Sequence, residues 1–493
     1  MELAIRTLRT LPAGSSVLFP IHHDLWRKLP ETVGKFLSKQ ETVCLKDAVK
    51  SWSPLEESWL SIWTGERWVL LTILDDANSC SVCAVRKAGE QVVRQMQLLG
   101  IERIAVGSGS LRKEHWMAFQ EGVTLGTYEY VKWKGALTQR RKKEQGRTTW
   151  KLREVSFLAT AQGHDAAHLQ VLFDAMALAK ALVDAPPSEA TPDLLEQSAK
   201  AVAKTSKYIK MTVLKGRQLK AASLEGILAV GQGSDHAPRL ILLEYAPPKS
   251  KGAPILLVGK GVTYDTGGLS LKPAKSMVTM KQDLAGAADL LGVLQAIAAT
   301  GLRKRIVLAI PVAENAIDAL AYKPDDVLHM PNGVTVEISD TDAEGRMILA
   351  DALAYGAARF KPRMILDVAT LTGGSMSAVG EDIAPFLCNE PKLARIITRA
   401  AAAVDEPVWE LPLHQPYATL LKSSVADIVN HSGKNKATTI EGALFLQHFV
   451  PEGTPWCHLD IAGVAFDDDR GMATGRTVRL LWKFLEQEVQ SRS

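Results

Sequence analysis

Residues 339–347 read Ser-Asp-Thr-Asp-Ala-Glu-Gly-Arg-Met, three carboxylates and a guanidinium set between a strand-like run and the helix-like run MILADALAYGAARF. Carboxylates this close repel one another and resist ionisation unless a counter-charge holds them. Two further segments carry related chemistry. VGKGVTYDTGGLSLKP places Lys260, Asp265 and Lys272 in a glycine-rich stretch that leaves an apolar run. MKQDLAGAADLL puts Asp283 at the mouth of a helix. Taken singly, Asp283 and Asp342 each read as a candidate helix N-cap, and for Asp283 that is the favoured reading; the glycines near Lys260 lack the spacing of a phosphate-binding loop. Taken together, Asp265, Asp283, Asp342 and Glu344 carry more negative charge than Lys260, Lys272 and Arg346 neutralise by burial alone. Divalent cations would supply the rest. Oxygen ligands without histidine or cysteine point away from a structural zinc site. A carboxylate shared between two ions suits hydrolysis by metal-activated water.

The elements that must position these groups are legible as apolar runs. From about residue 220 onward, LEGILAVG, RLILLEY, APILLVGKG, RIVLAIPV, RMILDVATL and CHLDIAG read as strands, separated by small-residue helices such as LAGAADLLGVLQAIAAT. Near-continuous apolar strands flanked by helices predict a mostly parallel mixed sheet covered on both faces. In such sheets ligands sit at the carboxyl ends of strands, which is where the acids fall. Before residue 130, RWVLLTIL and IERIAVGSG read as strands around the helix AGEQVVRQMQLLG, a smaller α/β unit. The expected organisation is an N-terminal α/β domain over 1–160, a linker helix over 161–190 and a catalytic α/β domain over 191–493.

Length and composition bound the rest. A chain of 493 residues exceeds one ordinary core, so two or more domains are expected. With 46% apolar and 23% charged residues it has the balance of a globular protein rather than a disordered one. No apolar run approaches the roughly 18 residues needed to span a bilayer, and the first residues show no secretory pattern. Five scattered cysteines suit a reducing compartment, and Cys80 and Cys83 read as two ordinary buried thiols in a strand. His22 and His23 read as a surface pair. Net charge is only +4, but Lys132–Arg153 is rich in lysine and arginine with a single acid. Such a run reads first as a solvated loop and second as a nucleic-acid contact.

Asp340-Thr-Asp-Ala-Glu-Gly-Arg-Met347 is similar, at six of eight positions, to NTDAEGRL, the signature of the leucyl (cytosol) aminopeptidase family. VGKGVTYDTGGLSLKP, MKQDLAGAAD, PVAEN, ILADALAYG, DVATLTGG and HLDIAG also resemble that family, in the family's order, so that the likeness covers residues 165 to 493. The resemblance implies a metal-dependent aminopeptidase that removes N-terminal residues from short peptides. It implies two divalent ions per subunit, zinc or manganese and otherwise magnesium or cobalt. Lys260, Asp265, Asp283, Asp342 and Glu344 would be their ligands. Lys272 would meet the developing oxyanion, and Arg346 would hold a bicarbonate ion as general base, with Gly345, Thr370 and Leu371 beside it. A homohexamer in the cytoplasm is implied as well, and some members bind DNA independently of peptidase activity. The chain departs from the family at Asp340 and Met347, at Pro324-Asp325-Asp326 in place of Pro-Gly-Asp, in DAPPSEATP, and in KATTIEGALFL, which lacks paired glycines.

Overall fold

The structure is a computed structural model that describes residues 3–8, 15–23, 33, 36–52, 59–75, 79–144, 152–158, 163–434 and 436–490. The chain divides into two compact units, Met1–Phe173 and Asp174–Ser493. The division falls inside the helix Ala166–Asp184, within the stretch expected as a linker.

The first unit is built on a six-stranded sheet. Its strands are β1 (Ala4–Leu8), β2 (Ser16–His22), β3 (Trp59–Trp63), β4 (Trp68–Leu74), β5 (Arg103–Val106) and β6 (Glu154–Leu158), ordered β1-β6-β5-β2-β4-β3. All pairings are parallel except β3 with β4. Alternate residues face opposite ways. Leu18, Leu70 and Ile104 join one buried cluster, and Val17, Val69 and Ala105 join the other. Helices Val82–Leu98 and Lys113–Gly126 pack together, with Gly122 lying so close to Arg86 that a Cβ there would come within 2.1 Å of its carbonyl oxygen. Two expectations change here. His22 is buried, its ring between the Asp75 carbonyl at 2.8 Å and His115 at 3.1 Å. Cys83 is half-buried on a helix rather than in a strand. Strand β6, which follows the basic run, pairs with both β1 and β5.

The second unit carries β7 (Ile209–Lys215), β8 (Arg239–Tyr245), β9 (Ile255–Gly259), β10 (Gly261–Asp265), β11 (Ile306–Asn315), β12 (Val327–His329), β13 (Thr335–Glu337), β14 (Met364–Ala369), β15 (Ala384–Cys388), β16 (Val408–Glu410), β17 (Ile428–Val429) and β18 (Trp456–Asp460). Its main sheet runs β16-β15-β18-β14-β9-β11-β8-β7, with β10 alongside β11. The centre, β18-β14-β9-β11, is parallel, and antiparallel neighbours flank it on both sides. This is the mixed, mostly parallel sheet the apolar runs predict. LEGILAVG is the exception. Glu225–Gly231 is a helix, and an apolar run this short does not tell helix from strand. Asp351 decides it by accepting the Ile227 N–H at 2.7 Å in the first helical turn.

Helix Ala285–Thr300 packs on β9 and β14, and helix Glu344–Phe360 packs on β9 and β11. Small residues make the first approach possible, since a Cβ on Gly286 would lie 2.1 Å from the Val368 carbonyl oxygen. Two stretches, Ala166–Asp184 and Met280–Thr300, are long and apolar enough on average to cross a membrane, which the run-length reading did not register. The second is 78% buried inside the protein and serves as a core helix.

Candidate metal centre

The parallel strands deliver their side chains to one edge of the sheet. Lys260 follows the last residue of β9, Asn315 ends β11, Thr370 and Leu371 follow β14, and Asp460 ends β18. Asp265 closes β10. Lys260 is pinned by its backbone, its N–H donating to Val368 at 3.1 Å and its carbonyl accepting from Ala287 at 2.9 Å. The other acids arrive from helix starts. Asp283 lies in the short turn Met280–Leu284 ahead of Ala285–Thr300, and Glu344 is the first residue of its helix. The positive end of each helix dipole favours a carboxylate there. Neither Asp283 nor Asp342 is an N-cap, for neither helix has a side-chain cap bond.

Among the described residues, Asp265, Asp342 and Glu344 bring ligand oxygens within 4.8 Å of one another. Asp283 joins them through Lys260, whose Nζ lies 2.7 Å from Asp283 Oδ1 and 2.9 Å from Glu344 Oε1 and donates to the Thr370 carbonyl at 2.8 Å. Lys272 spans the other side, 2.9 Å from Asp265 Oδ2 and 2.5 Å from Asp342 Oδ1. These residues open on a cavity of about 430 Å3 that Thr370, Leu371 and Met376 also line.

Charge governs the protonation of the cluster. Burial would depress the Lys260 ammonium, but Asp283, Glu344 and Asp265 outweigh it and hold the group above its ordinary range. Lys272 is raised for the same reasons, with Asp265 the largest attraction. Burial and then the Asp265 and Glu344 charges push Asp342 up to about 7. Burial, followed by Glu344, raises Asp265, and burial raises Asp283. The two lysines therefore act here as counter-ions to acids that are costly to ionise.

The residues fit divalent cations on a separate count. Asp283 Oδ2 and Glu344 Oε2 are buried without a hydrogen-bond partner, and Asp342 Oδ1 meets only the Lys272 charge, with no aligned hydrogen bond. Buried carboxylate oxygens without donors are unusual in a folded protein. They are the atoms a hard cation would take.

Supporting contacts hold the cluster in place. Asp265 Oδ1 accepts from Gly267 N–H at 2.9 Å and from Asn315 Nδ2 at 2.8 Å. Thr341 Oγ1 donates to the Gly267 carbonyl at 2.7 Å and accepts from Ser270 N–H at 2.8 Å, tying the lysine loop to the acidic loop. Asp340 stands apart from the ligand group. Its Oδ1 accepts the Asp342 N–H at 2.9 Å, and Asn430 brackets its backbone. An amide oxygen makes the same turn contact, which accounts for aspartate where the family has asparagine. Arg346 is buried, donating to the Asn430 carbonyl at 2.6 Å, with Glu441 Oε1 3.3 Å from the same nitrogen. Gly345 leaves room for Lys260, because a Cβ there would lie 2.7 Å from its Nζ.

The profile of the cytosol aminopeptidase family's catalytic domain matches residues 177–482. The chain belongs to the cytosol aminopeptidase family. It is an aminopeptidase, a metal-dependent hydrolase. A probable cytosol aminopeptidase of Cenarchaeum symbiosum is 35% identical over 86% of each chain. One from Desulfovibrio desulfuricans is 44% identical over 63% of this chain and 61% of its own length. Among solved structures, the bottromycin maturation enzyme BotP in complex with Mn matches with a TM-score of 0.81 at 31% identity, covering 97% of this chain and all of that one. A mutant of tomato leucine aminopeptidase matches with 0.84 at 26% identity, over 99% and 97%.

Against this cytosol aminopeptidase site, sequence reading gave no role to Asn315, Asp460 or Glu441. Asn315 closes the quoted PVAEN run, and Asp460 sits in HLDIAG, where its oxygens accept from Leu371 N–H at 3.1 Å and Thr372 Oγ1 at 2.6 Å. Both stood inside recognised motifs. Glu441 carried no signal beyond being one acid in an apolar helix. The basic run lies in the first unit. Helix Ala136–Glu144 exposes Arg140, which pairs with Glu144 at 2.9 Å, while residues 145–151 lie outside the described residues.

Proposed function

We propose that this aminopeptidase binds two divalent ions through Lys260, Asp265, Asp283, Asp342 and Glu344 and cleaves the first peptide bond of short peptides. The observation that carries the reading is the set of buried carboxylate oxygens without donors, gathered around two lysines at one cavity. When bound, the ions would hold the free α-amino group and acidify a water for attack. The resemblance gives Asp265 and Glu344 as the carboxylates that would be shared between the ions. Lys260 would give up its proton to serve as a ligand, as metal binding commonly requires. Lys272 already reaches the cavity and would oppose the charge developing on the carbonyl oxygen. Thr370 orients two ligands, donating to Asp283 Oδ1 at 2.7 Å and accepting from Lys260.

The resemblance gives bicarbonate to Arg346 as general base. The residues present do not fit it, because a carboxylate of the chain already lies on that guanidinium. The names of the relatives support placement in the cytosol, and the resemblance supports a homohexamer, which light scattering would test. The decisive experiment is hydrolysis of a panel of aminoacyl amides by metal-stripped protein re-supplied with zinc, manganese, magnesium or cobalt. Activity should return with at least one ion and vanish when the substrate amine is acetylated. Silence with every ion on every unblocked substrate would refute the reading.

A further inference from the structure

Arg346 is the third residue of the helix Glu344–Phe360, and Glu441 the fourth of Thr438–Gln447, a helix that packs against it. Both side chains are almost wholly buried, 5% and 0% exposed. A buried guanidinium needs an anion, and the family resemblance supplies one from solution. This chain has its own.

Arg346 NH1 lies 3.3 Å from Glu441 Oε1 and donates to the Asn430 carbonyl at 2.6 Å. The Phe445 ring lies against the guanidinium, with 5.8 Å between Cζ and ring centroid. The carboxylate is fixed by more than the arginine. Its Oε1 accepts from Ser432 N–H at 3.1 Å, its Oε2 accepts from the Ser432 hydroxyl, and His431 Nε2 lies 3.7 Å away. A second anion would place two negative charges on one buried guanidinium, which like-charge repulsion and desolvation both oppose.

We infer that Glu441 is the resident anion of Arg346, a positioning residue that replaces bicarbonate and frees this enzyme from dependence on it. The inference rests on the aminopeptidase reading. Removing the carboxylate should empty a site shaped for a small oxyanion, so a loss-of-charge variant should acquire the dependence that the natural chain lacks.

The test is a bicarbonate titration of full-length, metal-loaded protein in buffer depleted of carbon dioxide. Hydrolysis of an aminoacyl amide is followed alongside line broadening of 13C-bicarbonate by NMR. The natural chain should change rate by no more than about twofold and broaden no signal. Glu441→Ala should lose about tenfold or more in kcat without bicarbonate, as loss of a residue that holds another in place commonly does. It should recover with saturating bicarbonate and broaden the 13C signal, a response that a merely structural role would not give. Glu441→Gln keeps the shape without the charge and should lose rate with little rescue. Saturable stimulation of the natural chain would overturn the inference, as would full activity of Glu441→Ala without bicarbonate. If Glu441→Ala does not fold, the titration of the natural chain decides alone. If the natural chain hydrolyses nothing, the aminopeptidase reading fails while the 13C measurement still decides this one.

Discussion

Gly345 and Lys260 meet where no side chain fits between them: a Cβ at position 345 would lie 2.5 Å from Lys260 Cε and 2.7 Å from Nζ. The Lys260 backbone cannot retreat, being bonded to Val368 and Ala287, so the flexible end of the side chain must give way and leave its bond to Thr370. Gly345→Ala should therefore displace the ammonium rather than the helix. We expect a loss of about tenfold or more in metal affinity and rate, with a melting temperature close to that of the natural chain. Metal titration by calorimetry beside a thermal melt checks it. Unchanged affinity would show that Lys260 takes no part in binding metal.

Chelation should abolish hydrolysis without unfolding the protein. Lys260 and Lys272 offset part of the negative charge, and Asp342, pushed up to about 7, can take up a proton, so the fold does not need the ions for charge balance, unlike small domains that exist only when metallated. Circular dichroism before and after chelation should superimpose, and Glu344→Ala should be nearly inactive yet folded. Cooperative unfolding on chelation would contradict this account.

Ala437 has φ of +54°, a left-handed backbone that costs a residue with a Cβ about 1–2 kcal/mol. It lies in KATTIEGALFL, the segment that lacks the family's paired glycines. Ala437→Gly should raise stability by about 0.5–1 kcal/mol after the extra freedom glycine has when unfolded is subtracted. Thermal melts of the two proteins measure the difference, and a lower melting temperature would count against the strain. Asp325, where the family has glycine, also adopts a positive φ of 75°, a conformation aspartate tolerates better.

Glu41 and Arg67 form a buried two-bond pair in the first unit, at 2.6 and 2.9 Å. The Arg67 hydrogen bonds hold Glu41 down at about 2 from an ordinary 4.5, against the effect of burial. A depressed carboxylate contributes stability above its unfolded pKa and loses it as pH falls through the folded one. The contribution, on the order of 3 kcal/mol, should thus be full above pH 4.5 and gone near pH 2. Glu41→Gln should flatten that part of the acid-unfolding curve of the first unit. A curve parallel to that of the natural chain would remove the pair from the account.

Much of this was legible before any coordinates. Lys260, Asp265, Asp283, Asp342 and Glu344 stand out because charge at the end of an apolar run is expensive and needs a reason. The central strands were legible for the same reason, being apolar on both faces. What escaped was decided by contacts distant in sequence. LEGILAVG folds as a helix because Asp351, 124 residues away, accepts one of its amides. Asp340 stood out in the sequence only as a departure from the family's asparagine, and its contact with the Asp342 N–H shows it to be a turn-maker. Glu441 gains meaning only beside Arg346, 95 residues earlier.

The convergence of β9, β11, β14 and β18 on one edge has a further consequence. All the chemistry enters from the carboxyl ends of the strands, so the opposite rim carries only the duty of connecting elements. A saturation-mutagenesis map of the second unit should therefore be lopsided along the strand direction, intolerant at one rim and permissive at the other. Tags, insertions or new chain ends introduced at the amino ends of these strands would leave the hydrolytic apparatus untouched.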